Sequence, residues 1–153
     1  MVSMTWWRKG PKEIPEDRPP TDAETAHIMR SLADEFVQNA RGADLFDYSL
    51  ESVPRLDHLI DGLLEDASAA DLDRGFSLGM GAYLGEVVVR NSTAARWVYS
   101  VEQRTGAIEC GELFALPVFK VSKRFTIGPE HSLVQFVEVT IAGEVPPEAR
   151  RLP

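Results

Sequence analysis

The stretch Gly75-Phe-Ser-Leu-Gly-Met-Gly-Ala-Tyr-Leu-Gly-Glu-Val-Val-Val-Arg-Asn91 decides how this chain is read. It places four glycines in eleven residues, at 75, 79, 81 and 85. Each interior glycine costs a helix about 1 kcal/mol relative to alanine, so propensity alone argues against one. The apolar residues nevertheless recur at helical spacing. Leu72, Phe76, Tyr83 and Val87 form the main stripe to be buried, with Met80 and Leu84 beside it. Ser68-Ala-Ala-Asp71 upstream has the form of a capping box, and Asn91 suits the left-handed residue that ends a helix. A helix is therefore expected. Its glycines imply a tight packing constraint or a bound group, and close packing is the reading adopted. Gly75 with Gly79, and Gly81 with Gly85, then clear helix faces for a neighbouring backbone, expected from the first helix or a following hairpin.

Two catalytic motifs overlap this helix, and each lacks its context. Gly75-Phe-Ser-Leu-Gly79 matches the serine-hydrolase elbow, which needs a strand ending at the serine and a helix beginning after it. Residues 66–74 read as a helix start. The acid would have to be Glu102, Glu109 or Glu112, and the base His131, the one histidine downstream. Gly79-Met-Gly-Ala-Tyr-Leu-Gly85 resembles a dinucleotide loop, but no strand precedes it and no Lys-Ser/Thr pair makes it a phosphate loop.

On the N-terminal side, Thr21-Asp-Ala-Glu24 forms a capping box that opens a first helix. Ile28, Met29, Leu32, Phe36, Val37 and Ala40 supply its apolar face, and Gly42 its stop. After a brief extended segment at 45–50, Ser52 is expected to cap a second helix. Val53, Leu56, Ile60 and Leu63 should face inward, with Asp57, Asp61 and Glu65 outside. On the C-terminal side, Trp97, Tyr99 and Val101 alternate with Arg96, Ser100 and Glu102. With Arg104-Thr-Gly106 as the turn and 107–114 returning, this predicts a hairpin. Pro117 then starts a helix that buries Val118, Val121 and Phe125 and sets Lys120, Lys123 and Arg124 on its outer side. Leu133 to Ile141 suits a last helix ending at Gly143, against the strand propensity of 137–141.

Composition bounds the function. The 153 residues suit one domain, with 44% apolar and 26% charged side chains. No apolar run approaches the roughly 20 residues of a membrane span, and the N-terminus lacks a signal-peptide pattern. A single cysteine, Cys110, excludes an intramolecular disulfide and a multi-cysteine zinc site, and a cytoplasmic location is expected. Cys110 itself reads as a small buried residue. His27, His58 and His131 sit on separate elements, and Asp71-Leu-Asp-Arg-Gly75 lacks the third ligand of a calcium loop, so no metal or cofactor is expected. The net charge of −8 divides into +1 for residues 1–20, −10 for 21–73 and +1 for 74–153. That balance disfavours nucleic acid as a partner and leaves an acidic face for a protein one. Residues 1–20 read as a mobile, proline-rich arm whose Trp6 and Trp7 fold back onto the domain, with a membrane surface or a partner contact as the alternatives, and 146–153 as a loose tail.

The segments Asp47-Tyr-Ser-Leu-Glu-Ser-Val-Pro-Arg-Leu-Asp57 and Leu78–Asn91, a Trp-bearing strand, Phe119–Phe125 and Gly128–Leu133 together carry a resemblance. The chain resembles a group of small bacterial, largely actinobacterial, proteins of unknown function that share a Leu-Gly-Ala-Tyr-Leu-Gly-Glu-Val helix box, here Met-Gly-Ala-Tyr-Leu-Gly-Glu-Val at 80–87. The resemblance covers residues 45–135. It implies a compact helical domain with a small hairpin and assigns no catalytic residue.

The expectation is a single α+β domain over residues 21–145. It has three N-terminal helices, a small antiparallel hairpin of two or three strands, and one or two C-terminal helices. The leading function is a non-enzymatic protein-interaction module of accessory or immunity type, with a homodimer as a further possibility. The alternatives are a small hydrolase using Ser77, or a small-ligand sensor with a pocket between the Gly-rich helix and the Trp97 strand. Tyr83, Glu86, Arg90, Trp97, Lys120, Lys123 and Arg124 are the candidate ligand or interaction residues. Glu86 either pairs with Arg90 in solvent or is buried against Arg96 or the Tyr83 hydroxyl.

Overall fold

The Thr21 hydroxyl accepts the Glu24 N–H at 3.1 Å, and the Thr21 N–H donates to the Glu24 carboxylate at 2.8 Å. This reciprocal pair opens α1 (Asp22–Asn39) in the computed structural model, which describes residues 18–40 and 44–143. α2 (Ser52–Leu64) and α3 (Ala69–Arg90) follow, the latter capped by the Ser68 hydroxyl, which accepts the Asp71 N–H. Three strands come next: β1 (Arg96–Ser100), β2 (Thr105–Cys110) and β3 (Leu113–Ala115). α4 (Pro117–Thr126), with proline in its first turn, and α5 (Leu133–Ala142) complete an α+β fold. The sheet is antiparallel in the order β1-β2-β3, with Trp97 opposite Ile108 and Ile108 opposite Ala115.

α3 is the central element, packed on α1 along one side and α4 along the other. Every residue from Met80 to Val88 is buried, so the second half of this helix has no solvent face. A helix apolar all round is what a core position requires. The glycines make that possible at two points. A Cβ on Gly81 would lie 2.5 Å from the Val118 Cα of α4, and one on Gly85 would overlap the Trp97 ring of β1. The close approach expected of the hairpin is thus made through Trp97, while the backbone that nears Gly81 belongs to α4. A Cβ on Gly79 would meet the Phe36 Cβ of α1 at an ordinary 3.4 Å. One hydrophobic cluster joins Met29, Phe36, Leu56, Ile60, Tyr83, Trp97, Ile108, Val121, Phe125, Leu133 and Val137 across all five helices and the sheet.

Several local expectations need correction. Phe76 is 39% exposed and leaves the buried stripe of α3. Asn91 has φ −108° and caps through its side chain, whose amide donates to the Val87 and Tyr48 carbonyls. Tyr48 is left-handed instead, with φ 66°, in a bend at 45–50 that is not extended. Ser52 lies inside α2, and its hydroxyl donates to the Ser49 carbonyl at 2.6 Å. The hairpin turn falls at 101–104, so Thr105 and Gly106 already pair with Ser100 and Tyr99. Arg124, expected on the outer side of α4, is 2% exposed. α5 is helical as read, and Gly143 at φ 68° ends it. The Trp6-Trp7 arm, Gly42 and the 146–153 tail lie outside the described residues. Among the described residues no helix is long and apolar enough to cross a membrane.

Candidate functional site

Four of the candidate residues meet around the C-terminal half of α3. Glu86 is 1% exposed, and its carboxylate accepts the Trp97 indole N–H at 2.8 Å on one oxygen and the Arg90 Nε–H at 2.9 Å on the other. Arg30 of α1 stands 3.9 Å from the second oxygen. The pairing with Arg90 holds, but at a buried carboxylate. Arg96 goes instead to Glu109 and Asp22, and the Tyr83 hydroxyl to Ser52. With the one Ser52 proton committed to Ser49, Tyr83 donates to Ser52 at 2.6 Å and accepts the Tyr48 N–H at 3.0 Å. Burial raises the Tyr83 pKa. The Tyr48 ring stacks on Tyr83 with centroids 4.8 Å apart, and the Arg90 guanidinium carbon lies 3.6 Å from its centroid. These groups are saturated with partners, so they brace β1 and the 45–50 bend onto α3. The Trp97 ring fills the space against Gly85, which leaves no room for the pocket expected there.

The basic trio of α4 separates. Arg124 turns inward, donating from Nε to Asp57 at 2.9 Å and from Nη2 to Asp61 at 2.6 Å. Burial works against its charge, but the bonds to Asp61 and Asp57 outweigh it and raise its pKa. Burial also raises the Asp57 pKa, against the pull of Arg124. The outer line Asp57/Asp61 on α2 is therefore partly an internal tie to α4. Lys120 is half-buried with Nζ 3.4 Å from His131 Nδ1; burial, then Lys123, lowers its pKa. Lys120, Lys123, Phe114, Phe119 and Phe136 line a groove of about 410 Å³ between β3, α4 and α5. Ser77 is buried in the third turn of α3, and its hydroxyl donates to the Asp73 carboxylate at 2.6 Å. Among the described residues no group of three or more His, Cys, Asp or Glu is placed to hold a metal.

A wider cleft lies elsewhere, at the other end of α3. It encloses about 780 Å³ between the C-terminal half of α1, the residues Leu45 and Phe46, α2 and the first half of α3. Leu32, Phe36, Leu59, Leu63, Phe76 and Leu78 make it apolar. Glu35, Asn39, Arg55 and His58 also line it, and Arg55, His58, Glu35 and Asn39 are all exposed, forming a polar rim. Gly75 and Gly79 form part of its wall, and a Cβ on Gly75 would meet nothing within 4 Å. Compared with known proteins, the chain matches no family model, no curated protein and no solved structure.

Sequence reasoning missed this cleft because Leu32, Leu59 and Leu63 have the spacing of core residues. The available signal was the width of the apolar face of α2. Leu59 and Leu63 extend it beyond the strip that Val53, Leu56 and Ile60 need. Gly75 was the second signal, a helix glycine that packing does not require.

Proposed function

We propose that the chain is a non-enzymatic protein-interaction module that receives an apolar segment of a protein partner in the α1–α2–α3 cleft. The open, apolar cleft of about 780 Å³, with Gly75 unopposed in its wall, carries this reading. Ligand sites generally enclose roughly 300–1,000 Å³ and pair apolar walls with a few polar groups. α1 and α2, which form two of its walls, lie in the −10 stretch at 21–73, and the rim carries both Glu35 and Arg55, so it can meet either charge beside an apolar anchor. A cytoplasmic setting and kinship with the actinobacterial group, through the box at 80–87, belong to the same proposal.

Site-specific photo-crosslinking in cells tests it. A crosslinking residue replacing His58 on the cleft rim should give a discrete protein adduct that Gly75→Leu removes. The same residue at Glu138, exposed on α5, should give none. Adducts of equal yield at both positions, or an adduct indifferent to Gly75→Leu, would reject the cleft as the docking site.

The volume and polar rim also favour a second reading, a sensor of a small apolar ligand in this same cleft. A metabolite that raises the melting temperature of the native chain but not of Gly75→Leu would establish it. For the hydrolase alternative, Ser77 is buried within a helix and its hydroxyl is bonded to the Asp73 carboxylate one turn earlier, not to a histidine. Labelling at Ser77 by an active-site serine probe would reverse that judgement.

A further inference from the structure

The geometry points to a second site, separate from the α1–α2–α3 cleft: the groove between β3, α4 and α5 binds a small organic carboxylate with an aryl or short alkyl body. Leu116, Phe119, Lys120 and Lys123 line it at i, i+3, i+4 and i+7, so they share one face along α4. Phe114 of β3 and Phe136 of α5 close the other sides. The wall is thus aromatic, and its charge is concentrated on one helical turn.

That charge has one sign. Lys120 and Lys123 are the charged residues of the lining, and no carboxylate lies among them. Asp57, which acts on Lys120 from a distance, is itself bonded to Arg124. Among the described residues neither lysine forms an ion pair, whereas Arg30, Arg74, Arg90, Arg96 and Arg124 all do. Like charges one turn apart repel, and half-burial adds to the cost for Lys120. Both effects lower its pKa, burial more than Lys123. An ammonium has three donors. One reaches His131 Nδ1 at 3.4 Å, which leaves two for a ligand. A carboxylate accepting from both lysines would relieve the repulsion, and the Gln135 amide, also in the lining, adds a neutral donor.

Size and exposure select the occupant. About 410 Å³ lies within the range of small-ligand sites. A docked α-helix, about 10 Å across, would leave most of its body outside that space. Phe114 is 50% exposed and Phe119 37%, so an aryl or alkyl body beside the lysines would take large apolar surfaces out of water.

The test titrates the full chain with naphthoate and, separately, with the uncharged naphthamide, followed by amide shifts in proton–nitrogen correlation spectra. Naphthoate should shift amides of 113–123 and 135–140 to saturation and bind roughly tenfold more tightly than naphthamide. Lys123→Gln, at an exposed position, should weaken naphthoate roughly two- to fivefold and leave naphthamide unchanged. Lys120→Gln combined with Lys123→Gln should bring the two compounds to one affinity, with circular dichroism as the check on folding. Equal affinities for the native chain would overturn the carboxylate site. So would shifts confined to Leu32, Leu59 and Phe76 of the other cleft, or displacement of naphthoate by equimolar inorganic phosphate. The absence of any saturable shift at millimolar naphthoate would overturn it outright. A capped acidic peptide of aspartate and phenylalanine that binds this groove more tightly than naphthoate would overturn the small ligand in favour of a protein partner.

Discussion

Glu86 and Trp97 show how one buried pair organises a neighbourhood. A carboxylate at 1% exposure is tolerated because each oxygen has a donor, the indole N–H on one side and the Arg90 guanidinium on the other. Trp97→Phe keeps most of the apolar volume but leaves one buried oxygen unbonded. It should cost about 1–3 kcal/mol, read from urea denaturation followed by circular dichroism. A loss well below that range would mean that water reaches Glu86. Glu24 makes the opposite case at the surface. The Arg18 bonds, then the Thr21 N–H, hold its pKa at about 2 instead of 4.5. A carboxylate depressed in the folded state contributes stability above its unfolded pKa and loses it as pH falls through the folded one. Glu24→Gln should therefore flatten the decline of the urea midpoint between about pH 4.5 and about pH 2. An unchanged slope would place the acid sensitivity at other groups.

At the scale of the element, α3 is two helices in function. Its second half is a packing rod, with Gly81 against the α4 backbone and Gly85 against the Trp97 ring. Its first half borders the cleft, with Gly75 unopposed. Alanine at these positions should separate the two roles. Gly81→Ala forces a methyl onto the Val118 backbone and should destabilise by about 1–3 kcal/mol, as overpacking does. Gly75→Ala meets no atom and should stabilise by about 0.5–1 kcal/mol through helix propensity. Thermal or urea unfolding of the two variants checks both signs. A destabilising Gly75→Ala would show that something in the free chain already presses on that position.

Across the whole molecule, the charge asymmetry is in part structural. Part of the acidic stretch is internal: Asp57 and Asp61 of α2 hold Arg124 of α4. Arg124→Met should destabilise by up to about 3 kcal/mol, below the range for fully buried pairs, because both carboxylates keep some water. Asp57→Asn combined with Arg124→Met should recover part of that loss, because the stranded carboxylate is gone. Additive losses in that double-mutant cycle would show that the two groups are not coupled. At the cleft the charge is mixed, with Glu35 and Arg55 both on the rim.

The order of elements was legible from the sequence because caps, proline and apolar period are local properties. Thr21 and Ser68 cap their helices as their spacing predicts, Pro117 starts α4 and Gly143 ends α5. The core stripes of α1 and α2 followed from the helical period for the same reason. What period cannot show is which neighbour covers a face. It placed Phe76 inside, Arg124 outside and the pocket beside Trp97, each of which depends on how α1, α2 and α4 settle around α3. The four glycines of 75–85 have the same local meaning, a helix face without side chains. Only the tertiary structure fills the space beside Gly81 and Gly85 and leaves it open beside Gly75, because a missing Cβ becomes a contact or a cavity according to what packs opposite it.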